Sequence, residues 1–135
     1  MSFELVAHTA DIAVEATGET LAQTFESTAS GLSAAHCESI PATGDRFEMS
    51  VAAESLEALL FDYLDELIYQ RDVRGVLPTD HRVLIPETDR SSLKASARGV
   101  PLSAVDAREI KAVTYSEMAL QRVDQGWRAY VVFDV

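Results

Sequence analysis

Leu56-Glu57-Ala58-Leu59-Leu60-Phe61-Asp62-Tyr63-Leu64-Asp65-Glu66-Leu67-Ile68 is the stretch that decides the fold. Leu56, Leu59, Leu60, Tyr63, Leu64, Leu67 and Ile68 recur every three or four residues, so a helix gathers them into one apolar stripe. Glu57, Asp62, Asp65 and Glu66 fall largely on the other side. A stripe of this width needs a surface to cover, and the flanking sequence supplies strands. Before it, residues 46–52 alternate as a half-buried strand, after the turn-forming run Ile40-Pro41-Ala42-Thr43-Gly44-Asp45. Earlier still, Thr20 and Gln23 form a capping-box pattern. Leu21, Phe25, Thr28, Ala29 and Leu32 then keep helical spacing until Gly31 and the neighbouring serines weaken it. At the start, residues 3–6 and the alternating Ile12, Val14 and Ala16 read as two strands around the polar insert His8-Thr9-Ala10-Asp11.

Downstream, residues 71–80 contain Gly75 and Pro78 and are expected to leave the second helix as a loop. Residues 82–85, 93–98, 110–114, 117–123 and 127–133 then read as strands, the last two joined by the hairpin connection Asp124-Gln125-Gly126. Strands gathered after and around two helices predict an α+β fold: a mainly antiparallel β-sheet with two α-helices packed on one face. The 135 residues, 47% of them hydrophobic, suit one domain spanning 1–135.

Composition narrows the function. No run approaches the roughly 20 apolar residues of a membrane span, and the N-terminus lacks a signal peptide's basic and apolar regions, so a soluble, cytoplasmic protein with no membrane partner is expected. The 22 acidic residues outnumber the 11 basic ones, giving a formal charge of −11 that repels nucleic-acid phosphates over most of the surface. No direct nucleic-acid binding is expected. The basic set is nine arginines with only Lys94 and Lys111, and a lysine-poor acidic surface reads first as a halophile's way of staying hydrated in strong salt. The single cysteine, Cys37, excludes an internal disulfide and is read as a packing residue.

Few residues carry a recognisable chemistry. Cys37 has only His36 beside it, and sequence neighbours on a helix point in different directions, which argues against a nucleophilic thiol. The six glycines make no phosphate-binding loop. His8, His36 and His81 lack zinc-like spacing. Asp11 closes the polar insert between two strands, and Asp134 with the terminal carboxylate of Val135 follows the apolar run Val131-Val132-Phe133. Should the first and last strands bring Asp11 to that edge, three oxygen donors converge. Such a set suits a hard cation such as Ca²⁺, Mg²⁺ or Mn²⁺.

Five runs, in order and from end to end of the chain, resemble the archease family. They are His8-Thr9-Ala10-Asp11, the helix opening Thr20-Leu21-Ala22-Gln23-Thr24-Phe25, the Leu56 to Tyr69 helix, Glu109-Ile110-Lys111-Ala112-Val113-Thr114-Tyr115, and the ending Val131-Val132-Phe133-Asp134-Val135. The resemblance implies an activator of RtcB-type RNA ligases in transfer RNA splicing and repair, and the lysine-poor acidic composition adds the expectation of a halophilic archaeal source. Such a protein promotes guanylylation of the ligase with GTP and its multiple turnover, and does not catalyse a reaction alone. It also implies a metal site at Asp11, Asp134 and the Val135 carboxylate, with Ca²⁺ the first choice. His8, Asp62, Asp65, Glu109 and Lys111 are implied as candidate ligase contacts. One departure stands out: where the family commonly reads Thr-Tyr-His, this chain has Thr114-Tyr115-Ser116, so a histidine role there does not carry over. Two other readings fit the residues. A general chaperone or interaction module for RNA-processing enzymes would act without dependence on Asp11. A small metal-dependent hydrolase would need a base that the chain lacks beyond His8.

Overall fold

The protein is described from a computed structural model that covers residues 2–7 and 11–135. Helix α1, Leu21–His36, begins where Thr20 turns extended: its hydroxyl accepts from Gln23 N at 3.1 Å, and Gln23 Oε1 accepts from Glu19 N at 3.0 Å. The helix does not stop at Gly31. The hydroxyl of Thr28 donates to the carbonyl of Thr24, one turn back, at 2.8 Å, and Ser33 Oγ lies 3.1 Å from Ala29 O. A side chain at Gly31 would meet Val14 Cγ1 at 2.4 Å, so its absence lets the helix press onto the sheet. Helix α2, Leu56–Arg74, starts with Ser55 accepting from Ala58 N at 3.1 Å and ends at Gly75, whose left-handed φ of 65° lets its N–H reach Arg71 O at 2.9 Å.

The expected loop over 71–80 is overturned at this point. The helix runs to Arg74, and a strand, Val76–Leu84, follows directly. Pro78 misleads because a proline removes a ladder donor, yet this strand lies at the edge of its sheet, where one side of the backbone needs no partner. In chain order the strands are β1 Ser2–Ala7, β2 Asp11–Gly18, β3 Asp45–Ala52, β4 Val76–Leu84, β5 Ser92–Pro101, β6 Ala112–Val123 and β7 Gly126–Asp134. The two strands expected over 110–114 and 117–123 are one. In β6 the register slips between Thr114 and Ala119, an outward bulge in which Glu117 takes a φ of 58°.

All pairings are antiparallel, as expected for the α+β class. The strands divide between two sheets, β1-β2-β7-β6 and β3-β5-β4, with helix contacts to both: α1 packs on β1, β2, β7 and β4, and α2 on β6, β3, β4 and β5. The reason lies in α1. It buries Leu21, Phe25, Ala29 and Leu32, but also Thr24, Ser27, Thr28 and Ser33, and a helix buried around most of its circumference needs cover on two sides. Phe25 and Tyr63, both fully buried, stack with ring centroids 6.1 Å apart and join the helices within one core shared by the two sheets. Each fully buried leucine of α2, such as Leu59, Leu60 and Leu64, contributes about 1.5–3 kcal/mol of transfer free energy. Among the described residues no helix is long and apolar enough to cross a membrane.

Candidate metal centre

Residue alternation assigns the faces of the four-stranded sheet. Ile12, Val14, Ala16, Val131 and Phe133 pack into the core, so Asp11, Ala13, Glu15, Tyr130, Val132 and Asp134 face away from it. Register then brings the predicted carboxylates together: Asp11, the first residue of β2, lies directly opposite Asp134, the last residue of β7. Directly opposed residues share a face, with Cβ atoms about 4.5–5.5 Å apart. Val135 follows at the exposed end of the chain, next to Asp134. Further along the same face, Glu15 is matched by Arg128, Nε to Oε2 at 3.0 Å. At the end of the sheet the register places the Asp11 and Asp134 carboxylates opposite each other.

Lys111 joins this end through its backbone. Its N–H donates to Asp134 O at 2.8 Å just before β6 begins, and Ala112 pairs with Asp134, so the main chain of Asp134 is held from the β6 side as well. Glu109 is exposed and borders a small hollow with His36 and Arg71. Neither residue forms the cross-strand pair that an alternating strand over 110–114 would give, because the ladder starts only at Ala112. Asp62 and Asp65 lie far along the sequence on α2, half-buried and exposed respectively. His8 lies outside the described residues. Ser116, at the family's histidine position, sits exposed in the β6 bulge, beside Tyr115, whose ring stacks on Phe61 at 4.0 Å between centroids.

Do these donors fit a metal ion? All are hard oxygens, and the two carboxylates share a face by register, which suits Ca²⁺, Mg²⁺ or Mn²⁺ rather than a soft cation. Among the described residues no group of three or more His, Cys, Asp or Glu side chains could hold a metal, so further oxygens would have to come from the Val135 carboxylate, main-chain carbonyls and water. The remaining predicted groups are structural. His36 is buried, with Nδ1 3.0 Å from Arg108 O, and burial holds its pKa below the usual value. Cys37 is buried and donates to Ser39 O at 3.2 Å, in keeping with a packing role.

Comparison with known proteins agrees with this architecture. A two-helix, two-sheet α+β protein with a carboxylate pair at one sheet end defines a class, and the chain's residues 3–135 match the profile of the Archease protein family (MTH1598/TM1083). The chain belongs to the archease family. It is 36% identical to the protein archease of Thermococcus kodakarensis over 95% of this chain and 94% of that one. With the protein archease of Methanosarcina acetivorans it shares 35%, over 98% and 95%. The solution structure of Methanobacterium thermoautotrophicum protein 1598 superposes with a TM-score of 0.84 at 28% identity, covering 99% of both chains. The crystal structure of a Thermotoga maritima archease, described as a possible chaperone, gives 0.70 at 26% identity over 98% and 96%.

Proposed function

We propose that this protein is an accessory activator of an RtcB-type RNA ligase in transfer RNA splicing and repair, and not an enzyme in its own right. It promotes guanylylation of the ligase with GTP and so permits multiple turnover. The observation that carries this reading is the register pairing of Asp11 with Asp134 at the sheet end, in a chain of the archease family. Asp11, Asp134 and the Val135 carboxylate would hold a divalent cation, Ca²⁺ in the first place and otherwise Mg²⁺ or Mn²⁺. A cation bound there would offset negative charge near the GTP phosphates.

The chain's own residues do the rest. The ladder holds the Asp134 main chain between Asp11 and Ala112, so its carboxylate is presented from a rigid strand and not from a free tail. Asp62 and Asp65 on α2, with Glu109, would meet the basic surface that an RNA-handling enzyme presents, while Lys111 would meet an acidic group on it and His8 would contact the ligase through a hydrogen bond. The test is GTP-dependent guanylylation of the cognate ligase, in high salt with divalent metal, with native protein and with Asp11→Asn and Asp134→Asn. The native protein is expected to stimulate, and both variants to lose stimulation by about 10-fold or more while keeping the native circular dichroism. Added Ca²⁺ should raise the native Tm and leave that of Asp134→Asn unchanged.

A second reading, a general chaperone or interaction module for RNA-processing enzymes, draws support from the words used of the Thermotoga maritima relative. It predicts protection of many clients by native and Asp11→Asn protein alike. Absence of stimulation by folded native protein would favour it.

A further inference from the structure

The outward face of the three-stranded sheet reverses the sign of the molecule. Phe47, Met49, Val83, Leu93, Ala95 and Ala97 point into the core, so the residues between them point away. Those residues bring together Arg46, Arg82, Lys94 and Arg98, four of the 11 basic residues in a chain of formal charge −11. Register sets them as neighbours. Arg46 lies opposite Arg98, Ser96 lies opposite both Glu48 and Arg82, and Lys94 lies opposite Ser50. Glu48 and Asp80 are the acidic residues in the group.

Two of the cations are fixed and two are available. The Arg46 guanidinium donates to Asp80 Oδ2 at 2.6 Å and to Ser96 Oγ at 2.9 Å, and Arg98 donates to Pro41 O at 2.9 Å. Arg82 and Lys94 are exposed, and their side chains make no hydrogen bond or ion pair among the described residues. Both border a shallow hollow of about 370 Å³ with Glu48, Ser50 and Ser96. Along β5, Lys94, Ser96 and Arg98 stand at intervals of about 6.7 Å, with the flanking strands about 4.8 Å to either side. The result is a row of ammonium, hydroxyl and guanidinium donors.

A row of this kind suits phosphates better than a protein surface. Specific protein interfaces centre on apolar side chains, and Leu84, 67% exposed, is the one large apolar residue that the described part of this face offers. Phosphate oxygens need only charged and hydroxyl donors. No aromatic side chain stands among the outward residues of β3, β4 and β5, so bases would find no stacking platform. The acidic remainder of the surface would repel a polyanion from everywhere else and orient it onto this face.

We propose that the outward face of the β3-β5-β4 sheet is a sequence-independent contact surface for the phosphate backbone of single-stranded RNA, auxiliary to whatever partner holds the RNA. The choice of RNA rests on the ligase reading, while the face itself stands apart from the carboxylate pair, and a binding assay without the ligase separates failure of this proposal from failure of that reading. The experiment uses the isolated full chain and the fluorescence anisotropy of a labelled oligouridylate, titrated at about 50 mM to about 200 mM salt. The native protein is expected to bind, more weakly as salt rises. The double variant Arg82→Glu/Lys94→Glu alters two exposed side chains and should keep the native circular dichroism. It is expected to bind at least ~10-fold more weakly at the lowest salt, with the slope of log K against log salt reduced by roughly 1.4, or ~0.7 per lost cation. Equal affinity of variant and native protein, or absence of native binding, overturns the proposal. Displacement of the RNA by poly-glutamate at equal charge concentration also overturns it, and assigns the face to an acidic protein segment.

Discussion

At the scale of single residues, His81 shows how the fold alters an ordinary side chain. It lies buried against α1 with Nε2 2.7 Å from Ser33 Oγ, and that hydroxyl gives its own hydrogen to a carbonyl, Pro78 O at 2.7 Å or Ala29 O at 3.1 Å. The imidazole Nε2 therefore carries the proton and donates it to Ser33, leaving Nδ1 as a buried acceptor without a hydrogen bond among the described residues. Burial pushes the pKa of His81 down to about 3, against the opposing pull of Asp80. Between that value and the ordinary 6.5 the unfolded chain binds the proton and the folded one does not. Its contribution is complete above the ordinary value and is lost as pH falls towards the folded one, at up to about 1.4 kcal/mol per unit. His36, also lowered by burial, adds in the same direction. Urea midpoints are expected to drop between about pH 7 and about pH 5, and His81→Gln to flatten that slope. An unaltered slope in the variant would place the titration elsewhere.

At the scale of elements, two glycines separate the cost of a backbone conformation from the cost of a clash. Gly75 ends α2 in the left-handed region with nothing within 4 Å of where a Cβ would stand. Gly126 opens β7 with a φ of 145°, and a Cβ there would lie 2.0 Å from Gly18 O. Gly75→Ala is expected to cost roughly 1–2 kcal/mol, the left-handed penalty alone. Gly126→Ala is expected to cost about 3 kcal/mol or more, because β2 and the β6-β7 hairpin must also move apart. Chemical denaturation of the two variants decides it, and equal losses would refute the steric argument. The hairpin was legible from Asp124-Gln125-Gly126. The end of α2 was not, because Pro78 draws attention away from the glycine that terminates the helix and towards a loop that the edge position of β4 makes unnecessary.

At the scale of the whole molecule, charge dominates. A formal −11 on 135 residues is a self-repulsion that salt relieves as the screening length falls from about 10 Å at 0.1 M to about 3 Å at 1 M. Tm is therefore expected to rise by at least about 4 °C over that range of KCl, equivalent to about 1 kcal/mol. Thermal unfolding followed by circular dichroism measures it. A flat Tm would show that the acidic groups are too dispersed to repel one another and that their number serves another purpose.

The amino-acid sequence by itself determined the two helices, most of the antiparallel strands, the hairpin and the α+β class, because periodicity of apolar residues is a local property that burial on one side imposes. It also singled out Asp11 and Asp134, through a polar insert and a carboxylate closing an apolar run. Only the tertiary structure decided that the two face each other, since pairing of β2 with β7 joins residues more than 100 positions apart and depends on which strands become neighbours. The division into two sheets was likewise hidden: α1 buries threonine and serine hydroxyls, those of Thr24 and Thr28 bonded one turn back and that of Ser33 reaching Pro78 and His81 as well, so its second buried face looks polar in sequence. The basic face of β3-β5-β4 was hidden for the same physical reason. Arg46, Arg82, Lys94 and Arg98 are scattered through an acidic chain, and only strand register brings their charges onto one surface.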